Sequence, residues 1–589
     1  MDRNQAAESS PLPLFSRPGT MEIIVCSVTA LAYLGTLAFG FVYDDVPQIL
    51  KNPAIHDWRY LPQYFTSHVW AAIYPNSAGN YYRPLFLLWL RLNYALFGEN
   101  PAGWHGASVL CHVAATYLVF RVAQQLARDR TIAFVAALFF GLHPAHVENV
   151  AWISGVTDPL MASCALGSCS AFLSFRESRK ASQFVLSLGL FALALLSKET
   201  AIVLPLLIVA LSLIRPQDRT QDQASGKSKT AAREAAPYAL LVLIYIGVRY
   251  RTLGGLAHPT IAISWTEMFL SGPSVVLFYV KHLLLPLRLS EFYAIDYVHS
   301  ATGTSVLLPL CVLLTVGLVL YYCIRTLPQK QVAFFALAVI VLPLLPVLDL
   351  RSLTAGDIVH DRYLYLPSAG FALLVALSIA ALGQRMTDRQ RIIVPAALTG
   401  VLALLFAGLT LAEQMQWAND IALYTRGLES APDNLTVRDN LANALLDANQ
   451  PSRAVPLYLE VIKRNPNFWR SNYNLGFAYY KIGNFTAARE SLQRAIMIDR
   501  NDSDQYIYLA IVELQLKKLP EAADSARQAI VRNPQARGYH FILGLICESQ
   551  GDREAAIAAF KTELTHYPDN AAAEGELKKS EGVVANSRP

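Results

Sequence analysis

Two adjacent carboxylates, Asp44 and Asp45, follow the first long apolar run in the segment FVYDDVPQILKNP. A carboxylate at a membrane mouth is costly once it loses water, so such a pair serves a purpose there or caps a solvated helix end. Imidazoles and carboxylates gather again in HPAHVENVAWISGVTDP as His143, His146, Glu148 and Asp158. The two histidines would share one helix face, but HxxHxE is not the HExxH zinc pattern. Hydrogen bonding to an acceptor or a phosphate is therefore expected of this group, with polar capping of a span's end as the alternative, and no metal is assigned. Cations come from three further places. Arg83 stands beside a proline amid aromatics and, taken alone, suits a headgroup anchor; Lys198 and Glu199 occupy a tight hairpin between apolar runs; His360 and Arg362 lie in DIVHDRYLYLPSAG, ahead of another run. A guanidinium there can offer a phosphate two parallel N–H donors. A base together with phosphate-binding cations is what moving a sugar from a lipid phosphate to a hydroxyl requires: the base takes the hydroxyl proton while the cations stabilise charge building on the phosphate. The chain has no GxGxxG, no P-loop and no defensible Ser-His-Asp order.

These residues must be positioned by a chain of 589 residues that is 54% hydrophobic and only 16% charged, against about 25% charged in soluble domains. An ordinary cytosolic enzyme is excluded. A net charge of +5 over this length and the lack of a nucleic-acid module exclude DNA and RNA as partners. The seven cysteines form no CxxC pair, so neither a disulfide framework nor a zinc site is expected. About eleven apolar runs could cross a bilayer, near 21–41, 104–122, 131–148, 155–175, 182–196, 200–214, 237–250, 302–324, 332–350, 364–383 and 392–412. A twelfth, 272–289, carries Lys281, His282 and Arg288 and is expected to be interfacial or re-entrant. Basic residues concentrate in one set of loops, including 215–233, which assigns those loops and the tail 1–20 to the cytoplasm. The opposite loops, 42–103, 143–158, 197–200, 251–301 and 349–363, hold nearly every polar residue named above.

From 413 the composition turns soluble and helical. Pro432, Pro466, Pro534 and Pro568 fall on a 34-residue ladder, in phase with Leu441, Leu475, Leu509 and Leu543 and with Ala454, Ala488, Ala522 and Ala556. That period is the tetratricopeptide signature, and it predicts a half repeat at 417–432 and four full repeats. Gly476 and Gly544 stand where the helices should pack closely. Asn440 and Asn474 occupy equivalent positions in successive repeats and are expected to form a peptide groove, although Tyr508 and Ile542 follow in phase. The fold class is thus all-α: a membrane domain at 21–412, an α-solenoid at 413–570 and a C-terminal tail at 571–589.

In order, FVYDD, YRPLFLLWLRLNYALFG, HPAHVENV, LLSKETAIVLP, LLLPLRLS and DRYLYLPSAG, followed by tetratricopeptide repeats, resemble the transmembrane and tetratricopeptide-repeat protein O-mannosyltransferases and their bacterial relatives. The resemblance covers roughly 40 to 570 and implies a C-type glycosyltransferase fold. It also implies a polyprenyl or dolichyl phosphate sugar as donor, usually mannose, transferred with inversion, and it maps the family's catalytic acidic pair onto Asp44 and Asp45. The expected function is transfer of that sugar to a hydroxyl of protein Ser or Thr on the non-cytoplasmic face, with no cofactor besides the donor. Arg83, Lys198, Arg362 and His360 are expected on the donor phosphate. His143, His146, Glu148, Asp158 and Glu199 are expected to arrange the acceptor or the site. The alternative is a non-catalytic membrane scaffold whose solenoid recruits a partner, which would not need the charged outer constellation. A bacterial inner membrane with periplasmic repeats is favoured, or an endoplasmic reticulum membrane with lumenal repeats if the source is eukaryotic.

Overall fold

The computed structural model describes residues 17, 19–75, 77, 79–214, 227–255, 258, 263–301, 303–353 and 358–586. Most of the basic loop at 215–233, and nearly all of the tail 1–20, lie outside them. Among the described residues the chain is helical, with no strands, and it divides into two units, 1–430 and 431–589.

Every apolar run of the first unit becomes a helix. Eight helices are long and apolar enough to cross a membrane among the described residues: Thr20–Ala38, Pro101–Ala127, Ile153–Ser178, Ser228–Leu253, Thr304–Thr326, Lys330–Leu348, Asp361–Gln384 and Asp388–Trp417. The chain is a multi-pass membrane protein. The run at 131–148 is broken into Arg130–Gly141 and Pro144–Ala151, bent by 53°, because Pro144 lacks an N–H and holds His143 in an extended conformation. Counting the bent pair as one span gives nine. The runs at 182–196 and 200–214 form the short helices Ala181–Ser197 and Glu199–Leu213, under the roughly 20 residues a bilayer asks for, so the expected count of eleven is not confirmed. The segment expected to be interfacial falls largely within Trp265–Leu284, whose start carries a reciprocal Ser264–Glu267 cap.

Burial separates inner helices from outer ones. Ile153–Ser178 and Asp361–Gln384 are mostly enclosed, whereas Thr304–Thr326 and Asp388–Trp417 leave nearly all of their apolar surface uncovered, as a lipid-facing helix does. Gly370 permits one of the closest crossings: a Cβ there would stand 2.3 Å from the Ala336 carbonyl oxygen. The first unit also extends past the last apolar helix. Asp420–Ser430, expected within a half repeat, is part of it, so the contact boundary falls after the composition change at 413.

The second unit consists of four helix pairs, Leu435–Asp447 with Pro451–Arg464, Trp469–Ile482 with Phe485–Ile498, Ser503–Gln515 with Leu519–Arg532, and Tyr539–Gln550 with Arg553–His566. The four in-phase alanines, Ala454, Ala488, Ala522 and Ala556, are all fully buried. Gly476 and Gly544 lie against Leu492 and Phe560, where an added Cβ would come within 2.7 and 2.4 Å. Residues 571–586, expected as a tail, are instead a ninth helix, Ala571–Asn586, with Ala573 fully buried and Glu581 paired to Lys561 at 2.8 Å. Its burial explains the difference: the last pair would otherwise expose its packing face.

Candidate active site

Asp44 and Asp45 are adjacent, yet the backbone sends them to different surroundings. Tyr43 takes a left-handed φ of 55°, an uncommon conformation outside glycine, and the chain then enters the single wide turn Val46–Leu50. Asp45 is fully buried: its Oδ1 accepts from the Ser154 N–H at 2.9 Å and the Ser154 hydroxyl at 2.6 Å, and its Oδ2 accepts from the Val42 N–H at 3.2 Å. Burial pushes this carboxyl up to about 7, against the pull of those donors. Asp44 is half-buried and lines a cavity of about 80 Å3.

The same cavity is lined by Arg83, Lys198 and Arg362, brought from three other segments, and by Trp70, Tyr81, Trp152 and Tyr363. Each cation is held by a carboxylate. Arg83 donates from Nε and Nη2 to Glu199 at 3.0 and 2.6 Å. Lys198 donates from Nζ to Asp158 at 2.5 Å, both side chains almost wholly buried, and Asn149 donates to the same Asp158 oxygen at 3.1 Å. Burial draws the Lys198 ammonium below its ordinary range, with Asp158 pulling against it. Arg362 donates from Nη1 to Glu148 at 2.5 Å and to Glu291 at 2.8 Å, and its main-chain N–H reaches Glu148 at 3.0 Å. A guanidinium carries five N–H donors, so these bonds leave others for a ligand. Aromatic faces back the cations: Arg83 lies 4.5 Å from the Tyr81 ring and Lys198 4.8 Å from that of Tyr363. A paired, aromatic-backed cation is fixed in place before charge develops, which is what electrostatic stabilisation of a leaving phosphate demands.

His143, His146 and His360 do not line this cavity. His143 is buried with Nε2 on the Leu283 carbonyl at 3.1 Å, and His146 is buried with Nε2 on the Ser368 hydroxyl at 2.6 Å, a packing role among Phe140, Tyr365 and Phe406. His360 lies 3.6 Å from Glu291. Ligand atoms of Glu148, Glu291 and His360 fall within 4.8 Å of one another, the donor set a divalent ion would use, but the Arg362 guanidinium already bridges the two carboxylates. Glu291, Trp152 and Ser154 stand among these residues without having been named from the sequence. For Glu291 a signal existed, a carboxylate immediately after LLLPLRLS in an outer loop. For Ser154 and Trp152 none did, because only folding shows what they meet.

Residues 82–253 match the family model of dolichyl-phosphate-mannose-protein mannosyltransferase, and 440–505 and 509–571 match a tetratricopeptide repeat model. Human protein O-mannosyl-transferase TMTC1 is 27% identical over 505 residues, covering 78% of this chain and 57% of that protein. The chain is thus similar to protein O-mannosyltransferases in its apolar part and to tetratricopeptide repeats in its C-terminal part. Other proteins similar to it are a Caenorhabditis elegans protein O-mannosyl-transferase, 26% identical over 76% of this chain and 63% of that one, and mouse TMTC3, 24% identical over 87% and 60%. The chain spans about six-tenths of the length of these relatives. Among solved structures, a crystal structure of MamA is 25% identical and covers 26% of this chain and 89% of its own, with a TM-score of 0.25.

Proposed function

We propose that the chain transfers mannose from a polyprenyl or dolichyl phosphate to a Ser or Thr hydroxyl of a protein. The observation that carries this reading is the convergence of Asp44 with Arg83, Lys198 and Arg362 on one cavity from four segments. Asp44 takes the proton of the acceptor hydroxyl as its oxygen bonds to the anomeric carbon. The bond from that carbon to the phosphate oxygen breaks, its electron pair leaving with the lipid phosphate, and the configuration inverts. Arg83, Lys198 and Arg362 carry the charge that builds on the phosphate. Glu148, Asp158 and Glu199, with Glu291, hold those cations in place, and His360 acts through Glu291. Asp45 fixes the loop.

The reaction faces the non-cytoplasmic side in this reading, supported by the bias of basic residues toward the opposite loops. Single cysteines at 225 and 550, probed with a membrane-impermeant reagent in intact cells, test the orientation: labelling at 550 and not at 225 is expected, and the reverse would overturn it. The solenoid binds the acceptor protein. Asn440 and Asn474 are the groove residues in this reading, and Asn474 donates to Asn443 at 2.8 Å. Intact-mass glycoproteomics of cells with and without this protein tests the reaction. Hexose-bearing proteins that disappear with the protein support it, and an unchanged glycoproteome would contradict it.

A further inference from the structure

Trp152 lines the cavity beside Asp44 and is 6% exposed, yet among the described residues its indole Nε1–H finds no acceptor. Buried indole N–H groups ordinarily find a partner, and leaving one without carries the full cost of desolvating it. The ring has no obvious freedom to seek one. It lies nearly parallel to Trp417, with centroids 5.7 Å apart and 13° between planes, and against Tyr43 at 5.6 Å. Gly155 closes in as well, since a Cβ there would stand 3.1 Å from Cε3 of the indole and 2.6 Å from the Glu148 carbonyl oxygen. The hydrocarbon of Trp152 is packed on several sides while its one polar atom is left over.

We propose that the Trp152 N–H donates a hydrogen bond to the head group of the lipid-phosphate sugar, making Trp152 a specificity residue of the reaction proposed above, on which this inference rests. An indole N–H can only donate, so its partner is an oxygen acceptor, a sugar hydroxyl or a phosphate oxygen. Arg362 lies 5.6 Å from the same ring and lines the same cavity, and since the reaction proposed above seats the donor's phosphate there, the donor rather than the acceptor protein is the partner assigned to the N–H.

The test replaces Trp152 by Phe and, at the same position, by benzothienylalanine, which keeps the ring's shape and exchanges the N–H for sulfur. Purified wild-type and variant proteins in nanodiscs are compared for binding of radiolabelled polyprenyl-phosphate mannose and for turnover with a Ser-containing acceptor peptide. Both variants are expected to bind the donor about 3- to 10-fold more weakly, the range of one hydrogen bond, with the acceptor KM within twofold and thermal stability not lowered. Competition by polyprenyl phosphate without sugar separates the two oxygens: parallel weakening assigns the phosphate, and unchanged competition assigns a sugar hydroxyl. Unaltered donor binding in the benzothienylalanine protein overturns the proposal, as does a change confined to the acceptor KM. If wild-type protein binds the donor but transfers nothing, the reaction reading fails while the Trp152 contact stands or falls on binding. If wild-type protein does not bind it, both fall.

Discussion

Asp45 accepts from both the N–H and the hydroxyl of Ser154, at 2.9 and 2.6 Å, and so ties the loop that carries Asp44 to the turn ahead of a buried helix. Two carboxylates that look equivalent in the sequence thus face different surroundings, one the cavity and one the interior. Ser154 lines the cavity too, so the clamp and the candidate base meet at a single turn.

Asp45 should make stability depend on pH. Its carboxyl is raised to about 7 from an ordinary value near 4, so its contribution is fully present below about pH 4 and is lost as pH rises through 7. Asp45→Asn removes that titration. Relative to the variant, wild-type protein should lose on the order of 4 kcal/mol between pH 4 and 8. Thermal unfolding in detergent at several pH values checks it, and parallel curves for the two proteins would contradict it.

Lys198 and Asp158 form a nearly dry pair, so removing one partner leaves a buried charge. Asp158→Asn should cost about 3 to 5 kcal/mol of stability. Adding Lys198→Met should recover most of that stability without restoring donor binding, since the cavity then lacks one phosphate contact. A double-mutant cycle on unfolding, with donor affinity measured alongside, separates the two effects.

The first unit continues to Ser430, which has a consequence for truncation. A chain ending at 412 loses Trp417, stacked on Trp152, and Asp420, whose Oδ1 accepts the Tyr43 N–H at 2.9 Å next to Asp44. A chain ending at 430 keeps both. The longer truncation product should purify as a monodisperse protein with near wild-type stability and glycosylate a short peptide. The shorter one should be markedly less stable and inactive.

Gly544→Ala should destabilise the second unit by about 1 to 3 kcal/mol, because its Cβ would press on the Phe560 ring at 2.4 Å. Gly575→Ala, in open space on the last helix, should not. Circular dichroism melts of the two full-length variants decide the matter.

The repeats were legible because a 34-residue period is written in local residue identities: a buried alanine must be small in every unit, and Gly476 and Gly544 mark the close crossings. The number of spans was less so. Apolarity says that 182–196 and 200–214 are buried in something greasy, but not how long their helices are, and at 10–17 residues they leave the count of spans unconfirmed. At the site, Arg83, Lys198 and Arg362 could be picked out because charge in a greasy chain is conspicuous. His143 and His146 stood out as hydrogen-bonding imidazoles, and their Nε2 atoms meet the Leu283 carbonyl and the Ser368 hydroxyl. Ser154 and Trp152 are ordinary residue types, and their place beside Asp45 and in the cavity arises from tertiary contacts that spacing does not encode.

The most direct measurement is turnover of lipid-phosphate mannose by Asp44→Asn, an isosteric change that removes the base and leaves the Asp45–Ser154 clamp intact. With folding verified by monodispersity and an unchanged melting temperature, kcat should fall on the order of 10²- to 10⁴-fold while donor binding persists. Wild-type kcat in this variant would contradict the assignment of Asp44 as the base.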